Sequence, residues 1–168
     1  MPLPVQLIVF DVDGVLTDGV LAYDDRGVET KRFHVRDGFA MKAAMAVGLK
    51  VAVLTARSSP AVAVRMAELK IDLFMQGCRN KGVGIETLAQ RAGVELEQVA
   101  YLGDDILDLP AMVRCRYPMA VADGVAEVRA AAKYVTQTPG GRGAAREAIE
   151  HILKAQKKWD AVIERFAI

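Results

Sequence analysis

Leu7–Asp18 reads LIVFDVDGVLTD. Four apolar residues run without alternation and end abruptly in Asp11, Asp13 and Gly14. A continuous apolar run of this length is what a strand buried on both faces looks like, the situation of a parallel sheet covered by helices. Four similar runs and one weaker one follow: Val51–Leu54, Leu73–Met75, Val99–Leu102, Met119–Val121 and Tyr134–Val135. Between them lie amphipathic stretches with helix punctuation. Gly38–Val47 stops at Gly48. Ser59-Pro60 opens a helix to about Leu69, with Ser as N-cap and Pro at the first helical position. Gly84–Ala92 stops at Gly93, Asp108 precedes a short helix to about Val113, and a last helix starts near Ala144. This alternation predicts an α/β, Rossmann-like three-layer sandwich with a parallel central sheet.

One segment breaks the rhythm. Val20–Phe33 (VLAYDDRGVETKRF) has β-prone ends around Asp24–Gly27 and reads as a β-hairpin inserted between the first strand and the first helix. At 14 residues it is too small to be a second domain. The 168 residues are therefore read as a single domain, 1–168, with a C-terminal tail from about residue 139.

Composition limits the function. Hydrophobic residues are 52% and charged residues 26%, which excludes a globally disordered chain. Lys+Arg 22 against Asp+Glu 21 leaves +1, without the basic excess of a general nucleic-acid binder. There is no apolar run near the ~20 residues a membrane span needs, and Asp11 and Asp13 interrupt any signal-peptide pattern. Cys78 and Cys115 have no CxxC spacing and read as reduced, half-buried thiols, so a cytoplasmic location is expected.

In an open α/β sheet, ligands bind beyond the C-terminal strand ends. Those ends carry Asp11, Asp13 and Gly14, then Thr55, Arg57, Ser58 and Ser59, then Lys81, then Asp104, Asp105 and Asp108. Carboxylates gathered in one crevice repel one another unless protonated, paired or neutralised by a cation. Mg²⁺, a hard cation that takes a few carboxylates, waters and a phosphate, answers that need. Thr55 and Lys81 supply a hydroxyl and a positive charge suited to a phosphate, and Gly14 lets the backbone come close.

These four segments, LIVFDVDGVLTD, VLTARSS, Lys81 and GDDILD, resemble in order and spacing the four motifs of the haloacid dehalogenase-like phosphatases. The resemblance implies that Asp11 is the nucleophile and Asp13 the acid and base. It implies Mg²⁺ held by Asp11, Asp104 and the backbone carbonyl of Asp13, with Thr55 and Lys81 on the phosphoryl group. Asp105 and Asp108 are expected behind these residues, orienting Lys81 and the metal loop. With room only for the hairpin, the chain resembles capless members. GVETKRFHVRDGFAMK, AYLGDDILDLPAM, AVADG and GGRGAAREAIEHILKAQ are similar to members that act on phosphorylated eight-carbon sugar acids of lipopolysaccharide synthesis. From this come three further expectations: a homotetramer built through the hairpins, Arg57 on the substrate's carboxylate, and a glycine-rich tail that offers Arg142 or Arg146 to a neighbour's site. A nine-carbon sugar-acid 9-phosphate is the rival substrate. A non-catalytic regulatory domain is the rival class, although Asp11, Asp13, Lys81 and Asp104 are all present. His34 is expected to be structural rather than a catalytic base.

Overall fold

The computed structural model describes residues 3–166. Six strands form one parallel sheet: β1 (Leu7–Phe10), β4 (Lys50–Leu54), β5 (Leu73–Met75), β6 (Val99–Gly103), β7 (Tyr117–Ala120) and β8 (Tyr134–Val135), in the order β5-β4-β1-β6-β7-β8. β2 (Ala22–Tyr23) and β3 (Glu29–Thr30) pair antiparallel as the separate hairpin. The predicted sandwich is therefore present, and the insert that replaces a cap is short.

The strand runs are continuous because both faces are covered. Along β1, Ile8 and Phe10 join one apolar core while Leu7 and Val9 join the other. The first core is closed by α1 (Val35–Ala46), α2 (Pro60–Leu69), α6 (Ala144–Ala155) and α7 (Trp159–Phe166). The second is closed by α3 (Lys81–Ala92), α4 (Leu109–Met112) and α5 (Ala126–Ala131). Small residues on facing surfaces, Ala40, Ala43 and Ala44 on α1 and Ala144, Ala145 and Ala148 on α6, are all buried where these two helices meet.

Element bounds differ from expectation at two functionally relevant places. α1 begins at Val35 rather than Gly38, because the His34 side chain caps it by accepting the Arg36 amide at 3.3 Å. His34 is thus the N-cap of α1. α3 begins at Lys81 rather than Gly84, capped by Asn80, whose side chain accepts the Val83 amide at 3.2 Å. Lys81 is thus the first residue of a helix, not part of a loop.

The chain leaves β1 toward β4 on one side, whereas β6 continues to β7 on the other. The loops after β1 and β6 diverge, and the crevice between them is the topological switch point. β1 and β6 are in register from Leu7↔Val99 to Phe10↔Leu102. The ladder extends one step further, the Asp11 amide donating to the Leu102 carbonyl at 3.1 Å. Asp11 and Asp104 are thereby delivered to the same end of adjacent strands.

Candidate active site

The cavity at this switch point is lined by Asp11, Asp13, Thr55, Arg57, Lys81, Asp104, Asp105 and Leu107, with Ala56 between. Residues from four separate strand ends meet there, as their positions in the sequence predicted.

Asp11 is buried and held from both sides. One oxygen accepts the Val12 amide at 2.7 Å and the other faces the Lys81 ammonium at 2.7 Å. Lys81 also donates to Asp108 at 2.5 Å. Asp108, with no exposed surface, accepts from four groups. Lys81 and the Tyr101 hydroxyl (2.6 Å) converge on one oxygen, and the amides of Asp104 (2.8 Å) and Asp105 (3.1 Å) on the other. Asp108 orients both Lys81 and the loop of Asp104. Asp105 bears on that loop alone: its exposed carboxylate caps the local 3-10 turn through the Ile106 amide at 2.7 Å and makes no bond to Lys81. An exposed carboxylate one residue from a turn has its own amides to satisfy first.

The charges do not balance. One oxygen each of Asp11, Asp104 and Asp108 lie within 4.8 Å of one another, with Lys81 as the cation among them. Burial pushes the Asp11 carboxyl up to about 7, the Asp108 charge adding to this and Lys81 opposing it. Burial and then the charges of Asp11 and Asp108 push Asp104 up to about 8. Each Asp108 oxygen already accepts two donors, but Asp104 Oδ1 is buried with no hydrogen-bond partner among the described residues. The residues therefore fit a divalent cation on Asp11 and Asp104, which would supply the missing positive charge. Gly14 makes the approach possible: at φ +89°, a Cβ there would fall 1.9 Å from Asp104 Oδ2.

The loop carrying Asp11 and Asp13 is also backed from behind. The Val12 carbonyl accepts the amides of Val15, Leu16 and Thr17, folding the loop into a tight turn. Against it lies the glycine-rich segment before α6. The Gly141 amide donates to the Val15 carbonyl at 2.9 Å, and the Gly140 amide to Asp123 at 2.9 Å. A Cβ on Gly140 would stand 1.7 Å from the Gly14 carbonyl oxygen. The glycines pack against this chain's own Asp11–Thr17 loop.

Arg142 and Arg146 are not brought to the Asp11 cavity. Both line a different concavity, with Arg36, Thr138, Glu147 and Glu150. Arg146 bonds Glu150 at 2.6 Å and stacks near Trp159 and Phe39, and its amide donates to the buried Asp37 at 2.8 Å. The segment is tied down at both ends, Arg142 just before α6 and Arg146 in its first turn. Beyond α6, Trp159–Phe166 forms a separate helix, α7.

Thr55 is buried at the end of β4, its hydroxyl accepting the Arg57 amide at 3.3 Å. Arg57 lies at the mouth of the cavity. Its guanidinium donates to Glu29 (3.0 Å) and to the Tyr23 hydroxyl (3.3 Å) of the hairpin, and stands 3.9 Å from Asp13. Lys31, which the sequence reading did not single out, pairs with Asp13 and, at 2.6 Å, with Glu29. Burial alone would lower the Lys31 pKa, but the two carboxylates outweigh it and raise it. Glu29 opens β3 and Lys31 follows its last residue, and a spacing of two puts both side chains on one face of an extended chain, the one signal that could have linked them.

The sheet order, the acidic switch point and the paired lysine define the class, and comparison with known proteins agrees: residues 72–147 match the model of the haloacid dehalogenase-like hydrolases. The chain is 47% identical over 154 residues to the 3-deoxy-D-manno-octulosonate 8-phosphate phosphatase of Haemophilus influenzae, covering 92% of this chain and 86% of that protein. The cobalt-bound structure of the Haemophilus influenzae phosphatase superposes with a TM-score of 0.90 at 46% identity, covering 92% and 91% of the two chains. The Moraxella catarrhalis phosphatase, solved with a magnesium ion, a phosphate ion and a KDO molecule, superposes with a TM-score of 0.94 at 40% identity, covering 98% and 94%. The chain belongs to the 3-deoxy-D-manno-octulosonate 8-phosphate phosphatase family of the haloacid dehalogenase-like hydrolases.

Proposed function

We propose that this chain is a Mg²⁺-dependent phosphatase that hydrolyses 3-deoxy-D-manno-octulosonate 8-phosphate to the free sugar acid and phosphate. The observation that carries this reading is the pairing of Asp11 with Lys81 beside the partnerless oxygen of Asp104, at the switch point of a chain from this family. An Asp11 oxygen attacks phosphorus as the bond to the leaving oxygen breaks, giving an aspartyl-phosphate. Asp13 gives its proton to the leaving oxygen. A water then attacks the aspartyl-phosphate, Asp13 takes its proton, and Asp11 is released as carboxylate. Thr55 and Lys81 bind the phosphoryl oxygens, and Lys81 also holds Asp11 in place. Asp11, Asp104 and the Asp13 carbonyl would hold Mg²⁺, which when bound neutralises charge on the phosphoryl group. Arg57 is the candidate for the substrate's carboxylate, which would have to displace Glu29 from the guanidinium.

The same reading includes a single domain that assembles as a homotetramer and works in the cytoplasm on a lipopolysaccharide precursor. The hairpin supports the assembly: Val20, Leu21, Tyr23 and Val28 are all exposed on a short two-stranded edge. No helix among the described residues is long and apolar enough to cross a membrane. Phosphate release from octulosonate 8-phosphate tests the activity. It should need Mg²⁺, stop in excess chelator, and be abolished by Asp11→Asn in a protein of unchanged melting temperature. Undiminished turnover in chelator or in Asp11→Asn would refute it.

A further inference from the structure

Each aspartate of the Asp11–Asp13 pair has its own buried lysine. Lys81 stands against Asp11, and Lys31 of the hairpin against Asp13. The Lys31 side chain is only 2% exposed, although it comes from a two-stranded insert whose other side chains are largely at the surface. Burying an ammonium is costly unless it is paired and hydrogen-bonded. Lys31 meets that condition with two carboxylates, Asp13 and Glu29, and Glu29 is fixed in turn by Arg57. The hairpin therefore delivers a shielded charge to Asp13, the member of the pair that Lys81 does not touch.

We infer that Lys31 is a positioning residue for the acid–base step, aiming the Asp13 carboxylate and stabilising the charge that appears on it. This inference rests on the aspartyl-phosphate reading above. When Asp13 passes its proton to the leaving oxygen, it changes from neutral acid to carboxylate. That is where a fixed cation lowers the barrier, because its charge is in place before the reaction begins. Asp13 then begins the second half-reaction as the carboxylate that receives a proton from water. The geometry suits this role. One Asp13 oxygen is on Lys31 and the other stands 3.9 Å from Arg57, so the carboxylate faces the hairpin side of the cavity. The inner side is taken by Asp11, Lys81 and Asp108. The hairpin would thus be part of the catalytic apparatus as well as an assembly surface.

The test compares two esters, because proton donation matters only when the leaving group is a poor one. Glycerol 3-phosphate leaves as an alkoxide, whereas 4-nitrophenyl phosphate leaves as a stable phenolate. The readout is kcat/KM, which stops at the first irreversible step and so isolates leaving-group departure. Lys31→Met should lose about 10–100-fold on the alkyl ester, within the range attributable to general acid catalysis, and less than about threefold on the aryl ester. Lys31→Arg, which keeps the charge, should bring the alkyl-to-aryl ratio back toward wild type. In an Asp13→Asn background the Lys31 substitution should add little further loss on the alkyl ester, since both act through one group. Should Lys31→Met fail to fold, Lys31→Gln keeps hydrogen-bond donors for both carboxylates and removes the charge; the same selective loss is expected. Equal losses on the two esters in a folded variant, or no loss on either, would overturn the inference and leave the phosphatase reading intact. A wild-type protein inactive on both esters and on octulosonate 8-phosphate, or an Asp11→Asn protein active on any of them, would overturn the phosphatase reading itself and this inference with it.

Discussion

Asp108→Asn is the substitution whose effect the structure specifies most closely. Four donors meet the buried carboxylate, two on each oxygen. An asparagine offers an acceptor to only one pair and turns its own NH₂ toward the other. If the amide oxygen serves Lys81 and Tyr101, the amides of Asp104 and Asp105 face a donor; in the opposite flip, Lys81 and Tyr101 do. Two hydrogen bonds to a charged acceptor, at about 1.5–3 kcal/mol each, put the gross loss near 3–6 kcal/mol. Removing the negative charge also relieves repulsion with Asp11 and Asp104, which offsets part of it. A net loss of about 3 kcal/mol remains, at the low end for breaking a buried ion pair. For a chain of this size each kcal/mol moves the melting temperature by about 2–4 °C, so Asp108→Asn should melt about 6–12 °C lower. The assay is thermal unfolding followed by circular dichroism in chelator, with Asp105→Asn as the comparison. That exposed cap should shift by about 2–4 °C at most, since a cap is worth ~1 kcal/mol. Turnover of Asp108→Asn should fall at least about tenfold, because one flip takes an anchor from Lys81 and the other takes the support from the Asp104 loop. An Asp108→Asn protein melting within about 2 °C of wild type would refute the view that the four bonds to Asp108 hold the site together.

Gly14→Ala should raise the Mg²⁺ concentration needed for half-maximal activity by about 10–100-fold, the scale of disturbed ligand support, because its Cβ displaces Asp104; titration calorimetry with Mg²⁺ would measure this, and an unchanged affinity would contradict it. Gly140→Ala should lose both stability and turnover, since its Cβ collides with the Gly14 carbonyl; a wild-type melting curve would show that the two loops do not bear on each other. Arg57→Ala should lower kcat/KM on octulosonate 8-phosphate by about 10–100-fold, the worth of a charge-assisted hydrogen bond, and hardly change it on 4-nitrophenyl phosphate. Equal losses on both esters would place Arg57 in phosphate binding or in folding. Light scattering at micromolar concentration should give a tetramer mass, and replacing the hairpin by a short turn should give smaller species; a wild-type monomer would refute the assembly.

The sequence carried the sheet and the first-rank site residues because their signals are local. A buried parallel strand must be apolar throughout, so Leu7–Phe10 and Val99–Leu102 announce themselves, and the residues after them fall at the ligand-binding end of the sheet by topology alone. α5 (Ala126–Ala131) has no such signal, since only Val128 is buried and one anchor makes no periodicity. Lys31 could not be read as a site residue, because its burial depends on how the hairpin folds down over Asp13, a tertiary fact. Where Arg142 and Arg146 stand in this chain was not legible either. A Gly-Gly-Arg-Gly run reads as flexible when seen alone, whereas here its glycines permit close packing against Gly14 and Thr17. The buried Asp37, 109 residues away from Arg146 in the chain, then fastens the helix that follows.

That packing has a bearing on synthesis. Asp11 emerges from the ribosome before Asp104, and Gly140 and Gly141 follow both. A nascent chain can pair its central strands and gather its carboxylates while the support behind the nucleophile loop is still missing. Ending translation early would leave an acidic crevice capable of attracting cations on a loop with nothing to brace it. Full activity should therefore appear only once Gly140 and the helices after it, α6 and α7, have docked, making that segment a quality check on the chain that precedes it.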